Sequence, residues 1–103
     1  MSGPEATIEQ YLKESVEGAG GMCIKFKGQK DVPDRVVILN GLTVFVELKA
    51  PGAKPRQSQV RMFTNMQMAG AMVFWLDGKD KVDEFIVFML QDMDEPRIIR
   101  LDS

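Results

Sequence analysis

Asp34, Glu47 and Lys49 are the residues of this chain whose types and spacing could do chemistry. Asp34 closes Val32-Pro33-Asp34, and Glu47 and Lys49 belong to Val46-Glu47-Leu48-Lys49; between them, two apolar, β-branched runs flank Asn40-Gly41. An Asn-Gly pair in that setting is the strongest short-range signal for a two-residue hairpin turn. With those residues as the turn, Leu39 pairs with Leu42 and Ile38 with Thr43, and the same register carried outward sets Asp34 opposite Glu47. Side chains alternate faces with period two, so Lys49 shares the face of Glu47. Opposed residues lie about 4.5–5.5 Å apart at Cβ, where like charges are destabilising. A divalent cation between the carboxylates would offset the repulsion. Hard ions such as Mg²⁺ take one or two carboxylates together with phosphate oxygens and water.

Composition narrows the alternatives. The chain contains no histidine, which excludes Ser-His-Asp and Cys-His catalysis and histidine-ligated metal sites. Carboxylate, lysine and metal chemistry remains. The net charge of −2 argues against a nucleic-acid partner, but its distribution argues the other way. From Lys25 to Arg61 eight basic residues stand against three acidic ones, so positive charge gathers around the candidate metal site; surface solvation of those lysines accounts for the clustering equally well. At 103 residues the chain is read as a single domain, 1–103, with enough length for a core. No apolar stretch approaches the roughly 20 residues of a membrane span, and the N-terminus lacks the basic and apolar regions of a signal peptide. A single cysteine, Cys23, fits a reducing cytoplasm, and its apolar context predicts core packing over thiol chemistry.

The elements that must position the three residues can be placed along the chain. The first 20 residues predict an amphipathic helix, with Pro4 in its first turn, Ile8, Leu12, Val16 and Ala19 on one stripe, and Gly18, Gly20 and Gly21 ending it. Residues 22–27 predict a short strand and 28–31 a loop. In the hairpin that follows, Val36, Ile38 and Phe45 share the face of Asp34, while Val37, Leu39, Val44, Val46 and Leu48 occupy the other. Apolarity on both sides predicts a sheet covered above and below, with the carboxylates at its edge. Pro55 opens a second helix running to about Ala69, with Gly70 as its C-cap, and Gln59, Phe63 and Met66 trace one stripe of it. Residues 71–77 read as a fully buried strand parallel to the second hairpin strand. Asp80 is expected to cap a third helix facing inward through Val82, Phe85, Ile86, Met89 and Leu90, although its run Phe85 to Met89 suits a strand equally. Arg97 to Leu101 would add a short edge strand.

A helix carrying a glutamate, a meander with Asp on one strand and Glu-x-Lys on the next, then a helix and a strand resemble the PD-(D/E)xK nuclease superfamily. Val32-Pro33-Asp34-Arg35-Val36-Val37-Ile38, Val44-Phe45-Val46-Glu47-Leu48-Lys49-Ala50-Pro51-Gly52 and the segment Gln57 to Gln59 are similar to its virus-type replication-repair nuclease (VRR-NUC) branch. The resemblance covers roughly residues 5 to 76, with Glu9 matching an early glutamate and Lys25 a lysine on the preceding strand. A glycine commonly stands before the Val/Thr-Pro-Asp. Here the position is Asp31, which either alters the loop or brings a third carboxylate near the metal.

The resemblance implies an α/β (α+β), restriction-endonuclease-like core: a mixed central sheet with an antiparallel hairpin, flanked by helices. It implies that Asp34, Glu47 and the Leu48 carbonyl bind Mg²⁺ or Mn²⁺, and that Glu9 reaches a second ion or its water shell. Lys49 would position and help deprotonate the attacking water or stabilise charge in the transition state. Gln59 would orient Lys49 or that water. Lys25, Lys54 and Arg56 would contact phosphates. The activity implied is metal-dependent, structure-selective cleavage of DNA, in particular branched DNA such as four-way junctions, by a homodimer working in DNA repair, in the cytoplasm of a bacterial or phage-infected cell. The exposed part of the Met62–Met66 helix, or the third helix, would form the dimer. The alternative from another class is a catalytically silent nucleic-acid-binding or assembly module on the same fold. A sequence-specific restriction-like enzyme is disfavoured, because the chain is small for a base-reading element.

Overall fold

Asn40 and Gly41 turn the chain as their sequence demands. Both take positive φ, 54° and 82°, which is what a type I′ turn needs, and the Asn40 side-chain amide donates to the Met89 carbonyl at 3.0 Å. In this computed structural model, which describes residues 3–91, the turn joins β2 (Arg35–Leu39) to β3 (Leu42–Leu48) in the predicted register, from Leu39 opposite Leu42 to Arg35 opposite Val46. β1 (Met22–Lys25) pairs antiparallel with β2. β4 (Val73–Leu76) lies parallel to β3, and the sheet order is β1-β2-β3-β4. The helices are α1 (Pro4–Gly18), α2 (Gln57–Met68) and α3 (Lys79–Met89). The fold is the mixed α+β arrangement the sequence implies.

α1 and α2 end alike. Gly20 and Gly70 adopt φ of 94° and 113°, and the residues after them, Gly21 and Ala71, donate their N–H groups back to Val16 and Met66. These are Schellman closures, which satisfy carbonyls left over at a helix end and favour glycine in the left-handed position. α3 begins differently from expectation. Gly78 is its N-cap, and Asp80 falls inside the first turn, where its charge still suits the positive helix end.

The sheet is covered unevenly. Ile8, Leu12 and Val16 of α1 and Val82, Phe85 and Met89 of α3 bury the face built from Cys23, Val37, Leu39, Val44, Val46 and Leu48. Among the described residues the other face carries only α2, and Met22, its cross-strand partner Ile38, and Ile24 stand exposed there, Met22 by 57%. Cover on both faces was expected because the hairpin is apolar on both, but alternation reports side-chain type and not what packs above it. β4 departs for a related reason. Its apolar run predicts a fully buried strand, yet among the described residues β4 is the sheet edge and Trp75 is 42% exposed. Leu90, expected inward, is also exposed. The edge strand expected over 97–101 lies outside the described residues.

Candidate functional site at the end of the hairpin

Glu47 is the centre of the site because the fold buries it. It sits on β3 between Val46 and Leu48, but on the opposite face from them, under the first turn of α2. Its side chain is 4% exposed and that of Lys49 is 13%. Glu47 Oε2 accepts from Gln59 Nε2 at 2.9 Å and lies 3.1 Å from Lys49 Nζ. Lys49 Nζ in turn donates to Gln59 Oε1 at 2.9 Å. The three side chains therefore close a ring of contacts. Gln59 is held from behind: its Oε1 also accepts the backbone N–H of Arg56, the α2 N-cap, at 2.9 Å. That is the returning half of a capping box, so the bond that starts the helix also aims the amide.

Asp34 arrives by the predicted route. Its backbone carbonyl accepts from Phe26 N–H at 2.7 Å, and its Oδ2 accepts the Leu48 N–H at 3.3 Å. The N–H and C=O of one strand residue point to the same side, so the Leu48 carbonyl shares the side of Asp34. Burial first, and then the charge of Asp34, push the Glu47 carboxyl above its ordinary range, against the lowering influence of Lys49 and Gln59. Glu47 Oε1 is buried and has no hydrogen-bond partner among the described residues, although an ionised oxygen without a donor is costly in a dry place.

That unmatched oxygen, the neighbouring carboxylate and a nearby backbone carbonyl suit a hard divalent cation. Among the described residues no three acidic, histidine or cysteine side chains converge, so the carboxylate set is a pair. Glu9 is not part of it. Its Oε2 lies 2.6 Å from Arg35 Nη2 and 3.1 Å from Arg35 Nε, on the α1 side of the sheet, beside a surface cavity that also borders Ala50. Lys25 is exposed on β1, opposite Arg35 and hence on the other face from Glu47. Lys54 and Arg56 are exposed on the α2 side, Lys54 lining a cavity and Arg56 pointing its Nη2 at Asp31 at 3.3 Å.

Arg35 and Asp31 also belong to the arrangement, Arg35 without having been singled out from sequence. Arg35 holds Glu9, and the signal was available: a buried arginine alternating with Val37 and Leu39 on an apolar face must find a carboxylate. Asp31 keeps the glycine-like conformation of its position, φ 73°. Its Oδ1 accepts from Ser58 Oγ at 3.1 Å as well as from Arg56. It ties the loop before Asp34 to the start of α2, and its carboxylate is thereby occupied.

No family model matches the chain. A protein named "Putative nuclease p44", from Acyrthosiphon pisum secondary endosymbiont phage 1, is 43% identical over 79 residues, 74% of this chain and 85% of that protein. A solved structure described as "VRR_NUC domain" superposes with a TM-score of 0.76 at 34% identity, covering 82% of this chain and 96% of that one. The chain belongs to the VRR-NUC family. Within this VRR-NUC domain, Pro33-Asp34 and Glu47-Leu48-Lys49 stand together at the end of the hairpin remote from its turn.

Proposed function

We propose that this VRR-NUC domain is a divalent-metal-dependent endonuclease that hydrolyses phosphodiester bonds in branched DNA, four-way junctions among them, and that it works as a homodimer. The observation that carries the proposal is the buried Glu47 carboxylate, held on one oxygen by Lys49 and Gln59 and unmatched on the other, with Asp34 beside it. Asp34, Glu47 and the Leu48 carbonyl would hold Mg²⁺ or Mn²⁺. When bound, such an ion supplies Lewis-acid polarisation and lowers the pKa of water. Lys49, fixed by two partners, positions the attacking water or neutralises charge as the phosphate is attacked. Gln59 sets the direction of Lys49. With both Arg35 contacts in place, Glu9 serves as a charged border of the site and not as a direct ligand. Lys54, Arg56 and, from the far face, Lys25 would meet phosphates, which locates the backbone without reading sequence.

One site per chain cuts one strand, and paired cuts in a two-fold symmetric DNA need two sites joined by an isologous interface. Met22, Ile24 and Ile38 form a contiguous exposed apolar patch on the half of the sheet that α2 leaves open. We assign that patch to the second copy, in preference to the helices. Among the described residues no helix is long and apolar enough to cross a membrane, and we place the activity in the cytoplasm of a bacterial or phage-infected cell.

The test is a panel of end-labelled junction, flap, single-stranded and duplex DNAs incubated with Mg²⁺, Mn²⁺ or EDTA. Branched substrates are cut with metal and not with EDTA. Lys49→Ala lowers the cutting rate by about 100-fold or more while junction binding persists. Wild-type protein that binds every DNA and cuts none with either metal would leave the silent binding module as the correct description.

A further inference from the structure

Trp75 is the direct cross-strand partner of Glu47. Partners in adjacent strands point to the same face, about 4.8 Å apart, so the indole projects on the α2 side next to the metal-site glutamate. It is 42% exposed there, and it walls a cavity of about 350 Å³ between α2 and β4. Val73 and Phe63 supply further apolar wall, Thr64 and Gln67 offer polar groups, and Lys54 stands at the border. Clefts for small ligands begin at about this size, and they are mostly apolar with a few placed polar groups.

From this geometry we infer that the Trp75 cavity is a binding site for an unpaired nucleobase of the DNA, adjacent to the phosphate that is cut. The inference rests on the nuclease reading and narrows its substrate class. A base has a flat π-face for the indole and hydrogen-bonding edges for Thr64 and Gln67, and it carries a phosphate that Lys54 complements in charge. Stacking on an aromatic side chain tolerates any base, which suits an enzyme that selects structure over sequence. Bases inside a continuous duplex are stacked on one another and cannot enter. Branch points, flaps and single strands present bases that can. The cavity thus offers a physical reason for a small domain without a base-reading element to prefer interrupted DNA.

Trp75 is the chain's one tryptophan, so intrinsic fluorescence reports on this site alone. The full chain is titrated in EDTA, where no cutting occurs, with a labelled oligothymidylate and with a blunt duplex of equal length. Binding is followed by anisotropy of the label and by tryptophan emission. Saturable quenching by the single strand, with little by the duplex, is the expected result. Trp75→Ala should weaken single-strand binding at least about fivefold and leave duplex binding within twofold, with Trp75→Phe in between. Single-strand binding that leaves emission unchanged overturns the cavity assignment, as does a folded Trp75→Ala protein with undiminished single-strand affinity. Anisotropy that detects no binding of either DNA removes the nuclease reading and this inference together. The wild-type emission measurement decides the matter even if the alanine variant does not fold.

Discussion

At Glu47 the binding of one proton is linked to the stability of the fold. The carboxyl is raised by burial and by Asp34, so the folded state favours the protonated form more than the unfolded chain does. The stability this group contributes is therefore present in acid and is lost as pH rises through its folded-state value. In EDTA, urea unfolding of wild type measured against Glu47→Gln should show the difference moving in favour of wild type as pH falls from neutral toward the ordinary carboxylate range. Mg²⁺ should stabilise wild type at neutral pH, because a bound cation replaces the missing partner of Oε1, and should do little for Glu47→Gln. A metal-independent difference between the two proteins would refute the cation role. The hairpin register that brings Asp34 near Glu47 was legible before any coordinates, since a turn of fixed length sets the cross-strand pairs from Leu39–Leu42 to Arg35–Val46. The partner of Glu9 was not. Helical spacing places Glu9 on a face of α1 but does not say that Arg35 waits there.

At the scale of elements, the loop that delivers Asp34 and the helix that delivers Gln59 are fastened together by Asp31. Its positive φ is strained for a residue with a Cβ, by about 1–2 kcal/mol, and its contacts with Ser58 and Arg56 offset that strain. Asp31→Gly removes strain and fastening together, so its stability should stay within about 1 kcal/mol of wild type. Asp31→Ala keeps the strain and loses the contacts, and should fall about 1–3 kcal/mol below wild type. Denaturant melts separate the two, and equal losses would deny the strain. Helix ends and the hairpin were readable because glycine, proline and Asn-Gly act locally. The position of β4 at the edge of the sheet among the described residues was not, because a short apolar run such as 71–76 looks the same at an edge and at a centre. The cap of α3 was misplaced by two residues for want of a local preference: both Gly78 and Asp80 can begin a helix.

For the molecule as a whole, the two faces of the sheet have separate duties. Leu12 is fully buried beneath the face remote from Glu47. Leu12→Ala should cost about 2–5 kcal/mol of stability while leaving cleavage per folded molecule unchanged. On the open half of the other face, Ile38→Lys should shift sedimentation toward monomer without lowering the melting temperature by more than a few degrees. A dimer that persists in that variant would remove the β1–β2 patch as the interface. The local excess of basic residues between Lys25 and Arg61 predicts DNA affinity that falls steeply with salt.

This division has a consequence for how such a domain evolves. The layer that keeps the chain folded, made by α1, α3 and the buried side of the hairpin, shares almost no side chains with the α2 side, where Glu47, Lys49 and Gln59 meet. Exposed positions on the α2 side, unlike the buried Glu47, Gln59 and Phe63, are expected to accept substitution with little risk to foldedness, so such domains can vary around a fixed centre. The scaffold and the buried centre are inherited; the exposed rim around them is free to diversify.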